Sequence, residues 1–163
     1  MLKRSRRSRE PRWKSAPIVR GKLNSKAKGE LGEMIFLHKA SSLGFGVAKP
    51  FGDNERYDFI LDSGERLWRV QVKSTYCMYG SGLAYRITTR RHNQEAYSDN
   101  EVDFLVGHIV PRNIWYIVPV KKIGKRDFLY LHPLGCKQDG GHFEAYRDAW
   151  HLMAAHGPKP LAG

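Results

Sequence analysis

The chain has 163 residues, 41% of them hydrophobic, and a formal net charge of +12, which suits one folded domain with its own core. No apolar stretch approaches the roughly 20 residues of a membrane span. The apolar patch Ala16–Val19 is too short for a secretory signal, so a cytoplasmic protein without a membrane is expected.

The charge is uneven. Residues 1–28 hold Lys3, Arg4, Arg6, Arg7, Arg9, Arg12, Lys14, Arg20, Lys22, Lys26 and Lys28 against Glu10 alone, eleven minus one or +10; the other 135 residues carry 17 bases and 15 acids, or +2. Residues 1–24 read as a basic arm, disordered until bound, ahead of a near-neutral domain at 25–156 and a flexible tail at 157–163. Such an arm binds a polyanion through phosphate contacts and counterion release without reading sequence. Nucleic acid is the polyanion that suits it best, and a merely solubilising tail is the alternative.

From Lys26 the pattern turns helical, with Leu31, Ile35 and His38 on one face and Met34 beside them, up to a stop at Leu43–Gly46. Val47–Phe51 and Tyr57–Leu61 follow as strands. Asp62-Ser63-Gly64-Glu65 reads as a tight hairpin turn and Leu67–Lys73 as the return strand. Trp68, Val70 and Val72 point to one side of it; Arg69, Gln71 and Lys73 point to the other. Leu83–Thr88 is a further strand, and 93–99 a short helix or loop. Phe104–Ile109 and Trp115–Val118 form a buried pair around Pro111-Arg112-Asn113, and Phe128–Leu131 is a late strand. Phe143–Met153 reads as a closing helix with Tyr146, Trp150 and Met153 on one face. There is no internal repeat, and the order points to an α/β fold, a mixed β-sheet flanked by helices.

Hydrolysing a phosphodiester asks for a cation to polarise the phosphate, an activated water and relief of charge on the leaving oxygen. Mg²⁺ takes oxygen ligands and keeps several waters, so two or three converging side-chain oxygens and a nearby ammonium suffice. The hairpin can supply them. If Asp62 pairs with Glu65 across Ser63-Gly64, Asp58 falls opposite Arg69, on the face of Gln71 and Lys73. Spacing alone leaves the wet face of an ordinary hairpin equally open.

Gly29-Glu30-Leu31-Gly32-Glu33, Tyr57-Asp58 and Gln71-Val72-Lys73 together resemble the PD-(D/E)xK nuclease signature, closest to the small branch of group I intron-encoded homing endonucleases. The likeness covers Lys28 to about Val120, and Tyr146-Arg147-Asp148-Ala149-Trp150 resembles that branch's C-terminal end. The resemblance implies a restriction-endonuclease-like core and an Mg²⁺-dependent endonuclease, with Mn²⁺ as a substitute ion. It implies double-stranded DNA as substrate and a homo-oligomer, dimer or tetramer, to cut both strands. It also assigns Glu33, Asp58 and Gln71 as metal ligands and Lys73 as the signature lysine, with Glu30 as the fallback acid. Tyr57 replaces the motif's proline. Gln71 replaces a carboxylate and brings an oxygen without its charge, which weakens a second ion.

Arg90 and Arg91, with Lys26, Lys28 and the arm, are further candidates for phosphate contact. Asp103 is either an accessory ligand or a capping residue. His132, Cys136 and His142 lack the spacing of a structural zinc site, and the two cysteines, Cys77 and Cys136, make no disulfide framework. Two rival functions use the same features. One is a non-catalytic nucleic-acid binder on a degenerate nuclease fold; the other is a Holliday-junction resolvase with the same chemistry.

Overall fold

The computed structural model describes residues 23–52, 54–80, 84–91, 95–135 and 141–155. Arg4, Arg6, Arg7, Arg9, Arg12 and Lys14 of the arm, Cys136 and the 157–163 tail lie outside them.

Helix α1 spans Ser25–Ser42. Asn24 caps its first turn, its side chain accepting from Ala27 N–H at 2.8 Å. At the far end Gly44 adopts φ +89° and Phe45 N–H returns to the Ala40 carbonyl, the left-handed stop that only glycine takes without strain. The buried stripe is not the expected one. Gly32, Phe36 and Ala40 face the sheet, Ile35 packs at the margin, and Met34 and His38 are exposed. The reason is closeness of approach: a Cβ on Gly32 would lie 2.2 Å from Ser74 Oγ. The helix settles along its smallest residues, and part of its apolar surface stays outside.

The central sheet has the order β1-β2-β3-β5-β6, with β1 Gly46–Ala48, β2 Phe59–Asp62, β3 Leu67–Thr75, β5 Phe104–Ile109 and β6 Ile114–Pro119. Only β3 and β5 run parallel, so the sheet is mixed. The first strand ends before Pro50, which has no N–H for a ladder. Strands β4 (Tyr85–Thr88) and β7 (Phe128–Leu131) form a separate antiparallel ribbon.

The sheet has two packed faces. Val70, Val72, Phe104, Val106, Trp115 and Ile117 meet Phe36 and Ala40 of α1 in one core. Leu105, Ile109, Tyr116 and Val118 meet Tyr85, Ile87, Leu129 and Leu131 of the ribbon in the other. Strand alternation sorts the two sets, which is why β5 is buried along its whole length.

The hairpin differs from the sequence expectation in register. Asp62 pairs with Leu67, so the loop holds four residues, Ser63 to Arg66. Ser63 N–H donates to the Arg66 carbonyl, Arg66 N–H to Ser63 Oγ, and Gly64 N–H to Asp62 Oδ1 at 2.7 Å. These bonds satisfy a wider loop than the two-residue turn. Its even length keeps every side chain on its expected face but slides the partners by two. Continuing the ladder brings Asp58 opposite Gln71 rather than Arg69.

The closing helix is also absent. Glu144–Tyr146 and Trp150–Leu152 are two short 3₁₀ turns. Between them Arg147 bridges to Tyr116, and Asp148 takes φ +47° with its N–H on the Trp115 carbonyl at 2.7 Å. Pairing with the edge of β6 outcompetes the helical ladder, and aspartate tolerates the left-handed conformation better than most residues. Trp150 and Met153 still reach the α1-side core, while Tyr146 packs against the other.

Candidate active site

Strand β2 begins at Phe59 opposite Val70, yet β3 continues to Thr75. Beyond Val70, β3 therefore has β5 on one side and, among the described residues, no strand on the other. Asp58, one residue ahead of β2, fills this opening. Its N–H donates to the Val70 carbonyl at 2.9 Å. Its Oδ2 accepts from Val72 N–H at 2.8 Å and from Gln71 Nε2 at 2.6 Å. The carboxylate thus takes the ladder bond that a longer β2 would have made.

The opening is a cleft of about 400 Å³ lined by Lys28, Gly29, Glu33, Asp58, Gln71 and Lys73, with Ser74 and Tyr76 on its wall. Helix α1 reaches it from one face of the sheet, and Gln71 and Lys73 reach it from the other. Burial pushes the Asp58 carboxyl above the usual carboxylate range. The Val72 N–H opposes that shift, the Glu33 charge adds to it, and Lys73 and the Gln71 amide pull it back. Glu33 Oε2 accepts from Lys49 Nζ at 2.7 Å. Lys73 Nζ lies 5.7 Å from the centre of the Tyr97 ring.

The donor set fits a hard divalent cation. Two carboxylates that repel each other share a water-accessible cleft, and Gln71 turns its Nε2 to Asp58, leaving Oε1 as the end able to meet an ion. Among the described residues no group of three or more His, Cys, Asp or Glu is placed to hold a metal; this site would have two carboxylates and an amide.

The other expected residues are distributed as follows. Lys28 joins the cleft, its Nζ 5.3 Å from the Tyr76 ring centre. Glu30 lines the outer side of α1 beside Glu33 and meets Lys26 at 4.0 Å. Asp103 is elsewhere: it accepts from Arg69 N–H at 2.8 Å and pairs with the Arg69 guanidinium at 3.1 Å. It lines a different cleft, of about 530 Å³, with Trp68, Asp99, Phe104, Lys121 and Lys122, which Glu33, Asp58, Gln71 and Lys73 do not enter. Arg90 is paired with Asp127 and Arg91 with Glu95, so both cations are already partly neutralised. His142 contacts Arg126, and the cysteine of the zinc reading falls outside the described residues.

Sequence reasoning missed two supporting residues. Lys49 lies sixteen residues from Glu33 and carries no spacing signal. Gly32 belongs to the helix motif, and its lack of a side chain lets α1 descend far enough to deliver Glu33. Gly32→Ala should force α1 or Ser74 aside, at a cost of about 1–3 kcal/mol, and lower both the melting temperature and any cleavage activity. Ser74→Ala in the same chain should restore part of both, because it removes the clashing oxygen. Thermal melts and a cleavage assay on the single and double variants check this, and no coupling between the two would contradict it.

A family profile described as PD-(D/E)XK endonuclease matches residues 23–153. Among solved structures, the bacterial homing endonuclease I-Ssp6803I is similar, with 29% sequence identity and a TM-score of 0.69 over 80% of this chain and 91% of that one. No curated protein matches. The mixed five-stranded sheet with α1 is accordingly a restriction-endonuclease-like α/β core.

Proposed function

Because the chain belongs to the PD-(D/E)XK endonuclease family, we propose that it is an Mg²⁺-dependent endonuclease that hydrolyses phosphodiester bonds of double-stranded DNA, of the homing class to which its structural neighbour belongs. The observation that carries this reading is the meeting of Glu33, Asp58, Gln71 and Lys73 on one cleft, from three separate elements. Glu33, Asp58 and the Gln71 carbonyl would hold the ion. When bound, the ion supplies Lewis-acid polarisation of the phosphate and a more acidic water. Lys73 places an ammonium where negative charge grows on the phosphorus oxygens. Lys28 extends the positive lining of the cleft, and the arm adds contacts that do not depend on base sequence. One cleft cuts one strand, so duplex cleavage needs at least two copies.

The test is nicking of supercoiled plasmid by the purified full-length chain with Mg²⁺, with Mn²⁺ and with EDTA. Metal-dependent nicking is expected, and its absence with both ions on a plasmid carrying a duplex that the chain binds selectively removes the reading in favour of a non-catalytic binder. Gln71 is what favours that second reading, since its amide is tied to Asp58 and adds no charge. Gln71→Glu should therefore lower the Mg²⁺ concentration for half-maximal nicking, roughly tenfold, because ligand charge tunes affinity for hard cations. It should also lower the melting temperature of the metal-free protein, where the introduced carboxylate would face Asp58 without an N–H between them. An unchanged or higher Mg²⁺ requirement would show that the glutamine is no handicap.

A further inference from the structure

We infer that the outward face of the β4–β7 ribbon, centred on Arg86, reads base edges in the DNA major groove beside the cleavage cleft. This rests on the DNA reading above and extends it from where the chain cuts to how it chooses a sequence. The ribbon has two unlike faces. Tyr85, Ile87, Leu129 and Leu131 are buried against the central sheet. Arg86, Thr88 and Tyr130 alternate with them and are exposed, with Phe128 half-buried at the edge.

The exposed face is organised. Arg86 lies directly across from Tyr130 in the ladder. Its guanidinium sits 4.2 Å from the Tyr79 ring centre and 4.5 Å from that of Phe128, and the Tyr79 and Tyr130 rings are 5.7 Å apart. Stacking holds the planar fork while leaving its N–H donors unspent. Arg86 differs here from Arg90 and Arg91, the cations that stand out in the sequence: it forms no ion pair with a carboxylate among the described residues, whereas Arg90 pairs with Asp127 and Arg91 lies 3.8 Å from Glu95, which Arg56 shares. A cation held between rings, with no carboxylate paired to it among the described residues, suits an anionic partner that also offers flat acceptors. An arginine fork matches guanine O6 and N7, and aromatic or threonine methyl surface suits the thymine methyl.

Position supports the same partner. A Cβ on Gly107 would come within 2.6 Å of Ile87, and Gly107 is the register partner of Lys73. The ribbon is thus seated against the sheet at the level of the cleft's own lysine. The two strands of such a ribbon lie about 4.8 Å apart, and a major groove roughly 12 Å wide admits a two-stranded ribbon. A phosphate over Lys73 and a groove against Arg86 can therefore belong to one duplex.

The test is selection of binding sites by the full-length chain in EDTA, from duplexes of about 40 base pairs, roughly four helical turns, with a randomised centre. The wild-type chain should enrich a sequence. Arg86→Ala, with an unchanged melting temperature, should lose preference at two or three adjacent positions and bind the enriched duplex about tenfold more weakly. Replacing guanine by 7-deazaguanine at those positions should weaken the wild type similarly and the variant little further. The same preference in both chains, no enrichment by either, or tighter binding to single-stranded than to duplex DNA would overturn the assignment. Metal-dependent nicking of a plasmid that carries the enriched sequence, by the same preparations, separates the two ideas. A wild type that selects sequence through Arg86 but never nicks keeps the ribbon and loses the nuclease; nicking with a selection indifferent to Arg86 does the reverse.

Discussion

Asp58→Asn should abolish metal-dependent cleavage and yet raise the melting temperature at neutral pH. The activity loss follows from the ligand set. Asp58 is the carboxylate on which the whole opening in β3 converges, and loss of roughly 4 kcal/mol of ion-mediated stabilisation corresponds to about a thousandfold in rate. The stability gain follows from burial. The folded state holds the Asp58 carboxyl above its ordinary range, first through desolvation and then through the Glu33 charge. Below the unfolded value, near 4, the group is protonated in both states and costs nothing. As pH rises through the higher folded value the unfolded chain ionises more readily, and wild-type stability falls. Asparagine keeps an oxygen for the Val72 N–H and the Gln71 Nε2 but carries no charge. The difference in melting temperature should be largest above the folded value and close below about pH 4. A variant that is less stable than wild type at pH 7 would mean that the carboxylate serves the fold rather than the site.

That tension between fold and function explains which parts of this molecule could be read from sequence. The side of each hairpin residue was legible, because alternation has period two and any even loop preserves it. The exact partner of Asp58 was not: Ser63 and Gly64 support both a two-residue and a four-residue loop, and the bonds of Arg66 decide. The buried stripe of α1 was misread because periodicity weighs apolar residues, whereas the helix approaches the sheet through Gly32. The 3₁₀ turns at Glu144–Tyr146 and Trp150–Leu152 were hidden for a similar reason. Nothing local to 143–153 announces that Arg147 and Asp148 will pair with β6. The four candidate site residues stood out by spaced motif and family likeness. Lys49, Ser74 and Arg86 acquire their surroundings only through tertiary contacts.

Lys73→Met should reduce cleavage by roughly two to three orders of magnitude at saturating DNA while leaving the fold nearly as stable, since methionine keeps most of the hydrocarbon that packs in the half-buried strand. The measurement that separates a lost charge from a disturbed site is the titration of Asp58, followed by ¹³C NMR of its carboxyl in the metal-free protein. The Lys73 charge lowers the Asp58 pKa and the Glu33 charge raises it. Lys73→Met should therefore move the Asp58 titration to higher pH, and Glu33→Gln should move it to lower pH. Opposite displacements require both side chains to feel the same carboxylate across the cleft, one from β3 and the other from α1. If neither variant moves the titration, the two groups do not share a site with Asp58, and the loss of cleavage in Lys73→Met would need another cause.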